Sequence, residues 1–134
     1  MTLVKMLDTN IVSSLLRRPN GPVGARLRAL GEGAACVSII TAAELLFGAR
    51  RVQSVRLERD LKAILSVIPA LPLEHPAEET YAIIRTELEA AGRPIGPNDL
   101  LIAAHALSLD LTLVTANTGE FSRVPGLRIE NWLD

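Results

Sequence analysis

Short apolar stretches with strand character alternate along this chain with longer segments whose apolar residues recur at helical spacing. The predicted strands cover residues 3–7, 35–39, 70–73, 111–115 and 127–129. The predicted helices cover residues 10–17, 22–31, 41–50, 54–68, 77–91 and 98–107. Strands that alternate with helices favour a parallel sheet with helices on both faces, so we predict an α/β fold.

Polar residues mark the predicted starts of three helices. Thr41 and Ser54 stand where a hydroxyl side chain caps a helix, and Asn98 opens a helix that is apolar nearly all round. Glu44 follows Thr41 at the spacing of a capping box. On this prediction Glu44 and Asp99 each lie in the first turn of a helix.

The composition fits a single domain over residues 1–134. Hydrophobic residues make up 49 % of the chain and charged residues 22 %, which is enough apolar material for one continuous core. No apolar run approaches the ~20 residues of a membrane span. One cysteine, Cys36, cannot form an internal disulfide and fits a reducing compartment. We expect a cytoplasmic protein without membrane contacts.

The two halves of the chain differ in charge. Residues 1–62 carry ten Lys and Arg against five Asp and Glu, whereas residues 63–134 carry four against ten. Twelve of the fourteen cations are arginines, whose planar guanidinium donates two parallel hydrogen bonds to phosphate. The basic half is compatible with nucleic-acid binding and equally with solvated helix faces.

Acidic and amide side chains stand at or near the ends of the predicted strands. Asp8 follows the first strand, Glu44 begins the helix after the second, and Asp99 begins the helix before the fourth. Asn117 and Glu120 follow the fourth strand. In a parallel sheet these positions converge on one crevice, where unpaired carboxylates raise each other's pKa values. A divalent cation relieves that repulsion; helix capping explains each residue singly but requires no convergence.

Four ordered motifs carry a resemblance to a known family. They are residues 6–11 (MLDTNI), 38–45 (SIITAAEL), 93–106 (RPIGPNDLLIAAHA) and 114–121 (VTANTGEF). Together they resemble the motifs of PIN-domain ribonucleases, and more narrowly the VapC toxins of VapBC toxin–antitoxin modules. The resemblance implies an α/β/α sandwich around a mostly parallel sheet of about five strands. It also implies a homodimer, Mg²⁺- or Mn²⁺-dependent RNA cleavage, with tRNA the favoured substrate, and inhibition by a cognate VapB-type antitoxin.

The resemblance also suggests roles for individual residues. It implies that Asp8, Glu44 and Asp99 bind the metal. Many PIN domains carry a fourth acidic residue where this chain has Asn117, which contributes no charge, and Glu120 is the substitute we expect. All five residues are therefore candidates for catalysis.

Two other functions are compatible with parts of the pattern. A catalytically silent PIN-like module that binds RNA or protein is the main alternative, because Asn117 replaces a carboxylate. A phosphatase with an aspartyl nucleophile would need a second Asp at position 10, where the chain has Asn10. His105 lies six residues after Asp99, on another face of the same helix, and we expect it to be packed in the core.

Overall fold

Five short parallel strands form the centre of the molecule. The computed structural model describes residues 2–133. Its strands are β1 (Lys5–Leu7), β2 (Ala35–Ser38), β3 (Ala70–Leu71), β4 (Thr112–Val114) and β5 (Ile129–Glu130). They pair in the order β3-β2-β1-β4-β5, and each neighbouring pair is parallel. The predicted α/β fold with a five-stranded parallel sheet is confirmed.

The described residues also form seven helices around this sheet. They are α1 (Thr9–Arg17), α2 (Pro22–Leu30), α3 (Ile39–Arg51), α4 (Val55–Leu65), α5 (Ala77–Ala90), α6 (Pro97–Ser108) and α7 (Thr118–Phe121). The first six correspond to the predicted helices. The segment that forms α7 was predicted as a loop, because a single helical turn is too short to show a periodic pattern.

Two predicted helix starts are wrong. Ser38, the last residue of β2, caps α3: its hydroxyl accepts a hydrogen bond from the backbone N–H of Ile40 at 3.1 Å. Thr41 is buried within the helix and does not form a capping box with Glu44. The strand runs into the helix without a loop, so no break in the apolar pattern marks the junction. Similarly, α6 begins at Pro97 rather than at Asn98, since proline suits the first helical position.

Successive residues of the central strands point to opposite faces of the sheet and enter two separate cores. One core contains the alternate strand residues Met6, Cys36 and Leu113 together with apolar residues of α5 and α6. The other contains Leu7, Val37 and Val114 together with apolar residues of α1 to α4. The sheet is therefore covered by helices on both faces, as an α/β/α sandwich requires.

Three further side chains are buried in or beside these cores. His105 is buried as predicted, and its Nδ1 lies 2.8 Å from the Ser38 hydroxyl. Cys36 is also buried, and burial raises the pKa of its thiol to about 12. Trp132 packs into the second core and donates a hydrogen bond to Glu130 at 3.0 Å. None of the helices in the described part of the chain is long and apolar enough to cross a membrane.

The strand order determines where a ligand crevice opens. After β1 the chain builds β2 and β3 on one side, then crosses to build β4 and β5 on the other. The order therefore reverses between β1 and β4, and such a reversal opens a crevice beyond the carboxyl ends of the two strands. Asp8 and Thr115 are the first residues after these strands.

Candidate active site

Asp8 is fixed at the junction between β1 and α1. It is the N-cap of α1, and its Oδ1 accepts a hydrogen bond from the Thr9 backbone N–H at 2.8 Å. Its Oδ2 accepts a hydrogen bond from the Thr115 hydroxyl, also at 2.8 Å. The side chain is only 4 % exposed. Burial raises the pKa of Asp8, and the nearby charges of Glu44 and Glu120 raise it further. The hydrogen bonds from Thr115 and Thr9 lower the pKa but do not cancel this rise.

Glu44 approaches Asp8 from α3. Because α3 begins at Ile39, Glu44 lies in its second turn and not in the first. Its Oε1 accepts a hydrogen bond from the Thr9 hydroxyl at 2.6 Å, and its Oε2 accepts one from the Asn98 amide at 3.2 Å. Thr9 thus bridges the two carboxylates, since its backbone N–H contacts Asp8 and its hydroxyl contacts Glu44.

Asp99 lies in the first turn of α6 and is hydrogen-bonded to Glu120. Burial raises the pKa of Asp99 to about 7, assisted by that hydrogen bond and by the charges of Glu120, Asp8 and Glu44. The same hydrogen bond lowers the pKa of Glu120. The protonated Asp99 carboxyl therefore donates to an ionised Glu120, and the pair shares one proton near neutral pH.

Glu120 and Asn117 lie in the part of the site that is formed by the residues after β4. The Oε1 of Glu120 accepts a hydrogen bond from the Gly96 backbone N–H at 2.7 Å. Its Oε2 accepts one from the Asn117 amide at 2.6 Å. Asn117 therefore holds the Glu120 carboxylate against Asp99, where a carboxylate at position 117 would repel it.

These side chains surround a cleft of about 450 Å³ at the reversal of strand order. Four of the five candidate residues line it, namely Asp8, Glu44, Asp99 and Asn117. Glu120 contacts the cleft through its hydrogen bond with Asp99. The sequence interpretation missed Ser13 and Arg17, which line the cleft from α1. Asn10, Ser13 and Arg17 are three and then four residues apart, so they lie on one face of α1. This spacing is the signal in the sequence that could have identified them.

Comparison with known proteins identifies the family. Residues 5–127 match the PIN domain. The chain belongs to the PIN-domain family. The tRNA(fMet)-specific endonuclease VapC of Shigella flexneri is 44 % identical over 130 residues, covering 95 % of this chain and 96 % of the relative. Ribonuclease VapC2 of Haemophilus influenzae is 39 % identical over 132 residues, covering 96 % and 97 %. Within the PIN-domain family, the chain is a member of the VapC ribonucleases.

Solved structures of VapC proteins share the fold. The complex VapBC2 of Rickettsia felis, bound to a DNA fragment from its promoter, contains a chain that superposes with a TM-score of 0.91 at 35 % identity. The superposition covers 97 % of this chain and 99 % of that one. PIN-domain ribonucleases are generally metal-dependent.

The donor atoms in the cleft fit a hard divalent cation. Among residues 2–133, no three His, Cys, Asp or Glu side chains stand close enough together to hold a metal ion as they are oriented. However, each oxygen of Asp8 and Glu44 accepts one hydrogen bond, which leaves a further lone pair on every oxygen. Carboxylate oxygens are the ligands that Mg²⁺ and Mn²⁺ prefer. The VapC cleft therefore offers the right donor type, and a bound cation would offset the burial and the neighbouring negative charges that together raise the pKa of Asp99.

Asp99→Asn is expected to raise the melting temperature of this VapC protein in the presence of EDTA at alkaline pH. The folded-state pKa of Asp99 is about 7 and its ordinary value is 3.8, so the folded protein binds an extra proton between these values. The stability that this proton contributes is lost as the pH rises through about 7. Asparagine carries no charge, so its advantage over the wild type should grow from about pH 4 to about pH 7, stay nearly constant at higher pH, and reach several degrees.

The same measurement tests whether Asp99 contributes to a cation site. Millimolar Mg²⁺ or Mn²⁺ should raise the melting temperature of the wild type at about pH 8, because a ligand that binds only the folded state stabilises it. The ion should have little effect on Asp99→Asn. Asp110→Asn is the matched control, since Asp110 is exposed and paired with Arg128 on the surface. An equal response of all three proteins would exclude Asp99 from the site.

Proposed function

We propose that this chain is the toxin of a type II toxin–antitoxin pair and an endoribonuclease that hydrolyses phosphodiester bonds of tRNA in the cytoplasm. The observation that carries the proposal is the gathering of Asp8, Glu44, Asp99 and Glu120 around one cleft beyond β1 and β4. Of these four residues, helix capping explains the position of Asp8 alone. The relatives named for tRNA(fMet) cleavage support tRNA as the substrate class.

Asp8, Glu44 and Asp99 would bind Mg²⁺ or Mn²⁺, with Glu120 completing the acidic group through Asp99. A bound ion would supply the positive charge that makes a water molecule more acidic and that offsets the charge developing on the phosphate. Thr115 and Thr9 would keep the Asp8 carboxylate in place, because each of its oxygens already accepts one of their hydrogen bonds. Asn98 and Thr9 would do the same for Glu44.

Asp99 is the residue we assign to proton transfer. Asp99 can accept a proton only when it is ionised, and a cation bound beside it would favour the ionised form. In the proposed reaction a carboxylate oxygen of Asp99 takes the proton of the attacking water, and Glu120 accepts the hydrogen bond that results. Attack of water on the phosphorus breaks the bond to the 3′ oxygen of the preceding nucleotide. The products are a 5′-phosphate and a 3′-hydroxyl, with no covalent enzyme intermediate.

Two partners are part of the proposal. The VapBC complexes among the structural relatives support a VapB-type antitoxin. An apolar groove of about 460 Å³ between α1, α2 and α4, lined by Leu15, Leu27 and Ile64 among others, is suited to an apolar peptide segment. Exposed apolar side chains on α3 and α4 support a homodimer: Phe47 is 65 % exposed and Val55 84 %. A monodisperse monomer in sizing experiments would contradict the dimer.

Sequencing of RNA 5′-phosphate ends after brief induction tests the function. New ends should appear in one or a few tRNAs in cells that express the wild type and should be absent from cells that express Asp8→Asn at the same level. The purified protein should cut the same tRNA at the same position when Mg²⁺ or Mn²⁺ is added. Binding of the ion and of RNA without any cleavage would refute the nuclease and favour a silent RNA-binding module.

A further inference from the structure

Arg17 lies at the far end of the acidic cleft. It belongs to the last turn of α1, and it lines the cleft together with Asn10 and Ser13 of the same helix. Arg17 is seven residues after Asn10, which is about 10 Å along the helix axis. The Cα–Cβ bonds of a helix tilt toward its N-terminus, which for α1 is the end that carries Asp8, and Arg17 lines the same cleft as the carboxylates.

The charge of Arg17 is not neutralised by the protein. Arg17 is exposed and is the one cation among the residues that line the cleft. Within residues 2–133 its side chain has no salt bridge, although several carboxylates face the same cleft. These carboxylates are held instead by Thr9, Thr115 and Asn98. A guanidinium that remains free beside an acidic centre is available for an anion that arrives with the substrate.

We propose that Arg17 binds a backbone phosphate that flanks the scissile bond, on the side of the cleft formed by α1. The inference rests on the proposed function, because it assumes that RNA enters this cleft. The planar guanidinium can donate two parallel hydrogen bonds to one phosphate. Arg17 is then a binding residue for a substrate that extends beyond the two nucleotides joined by the scissile bond.

A structural explanation of Arg17 also exists, and a neighbouring residue separates the two. A cation in the last turn of α1 interacts favourably with the helix dipole. Arg18, the C-cap of α1, has the same charge at the same helix end but does not line the cleft. If Arg17 acts only on the helix, Arg17→Gln and Arg18→Gln should affect RNA binding equally.

The test measures RNA affinity and its salt dependence. A fluorescein-labelled oligouridine of about 12 nucleotides is titrated into the Asp8→Asn protein, so that the RNA stays intact. In this background the Arg17→Gln substitution should weaken RNA binding about tenfold at low salt. It should also reduce the slope of log affinity against log [NaCl] by about 0.7, the value for one phosphate contact on a single strand. Arg17→Lys should keep the slope and lose part of the affinity. Arg18→Gln should change neither by more than about twofold.

Steady-state cleavage of tRNA by proteins that retain Asp8 gives a second measurement. A contact to a flanking phosphate is made equally in the bound substrate and in the transition state, so Arg17→Gln should raise KM and leave kcat nearly unchanged. A fall in kcat with unchanged RNA affinity would overturn the proposal, and so would equal effects of Arg17→Gln and Arg18→Gln. If the Asp8→Asn protein does not bind RNA and the wild type does not cleave it, the proposed function itself fails. These outcomes are distinguishable.

Discussion

RNA cleavage by the Asp8→Asn variant should be at least about a thousandfold slower than cleavage by the wild type. The substitution removes the charge of the most buried carboxylate in the cleft. It preserves the fold, because asparagine caps helices as well as aspartate does. The remaining side-chain oxygen can still accept the hydrogen bond from the Thr9 N–H or the Thr115 hydroxyl. The loss should therefore be one of catalysis, measured as kcat/KM on a tRNA substrate.

The controls separate catalysis from folding. Circular dichroism and melting curves of Asp8→Asn should match those of the wild type within a few degrees. Asp110→Asn makes the same chemical change at an exposed position with φ of 55°, a backbone conformation that asparagine tolerates. This control should keep full activity. Activity of Asp8→Asn within about tenfold of the wild type would remove Asp8 from the catalytic group.

Chelation of divalent metal should stop cleavage completely, with a loss of at least about a thousandfold, and addition of Mg²⁺ or Mn²⁺ should restore it. Without a cation the acidic group formed by Asp8, Glu44 and Glu120 repels the negative phosphate that must approach it. The fold should persist, since both cores consist of buried apolar residues that need no cation.

EDTA saturated with Mg²⁺ before it is added is the control for effects of the chelator itself, and it should leave activity intact. Cleavage that survives dialysis against EDTA, at a rate close to that of the untreated protein, would contradict the proposed chemistry. It would point to catalysis by side chains alone, for which Asp99 and Glu120 are the pair with a suitable shared proton.

The sheet and the approximate location of the site followed from local patterns in the chain. The positions of Asp8, Glu44 and Asp99 near strand ends were sufficient to place them at one crevice, because parallel topology brings the carboxyl ends of strands together. The capping role of Ser38 was not predicted, since Ser38 is the last residue of a buried strand and the helix follows it without a loop.

Contacts between side chains from distant segments could not be predicted from the sequence. The hydrogen bond between Asp99 and Glu120 depends on α7, whose single turn carries no periodic signal. The hydrogen bonds from Thr9 and Asn98 to Glu44 join three separate helices. Arg17 was not predicted as a site residue, because its place in the cleft depends on how α1 packs beside β1.

The outermost strands of the sheet influence how the protein behaves at high concentration. β3 and β5 have two residues each, and prolines at positions 69 and 72 flank β3 directly. Edges this short leave few unpaired backbone groups, and the prolines beside β3 have no N–H to donate, which disfavours extension of the sheet by another polypeptide. Aggregation through intermolecular strand pairing is thereby suppressed, and self-association is left to contacts between helix side chains.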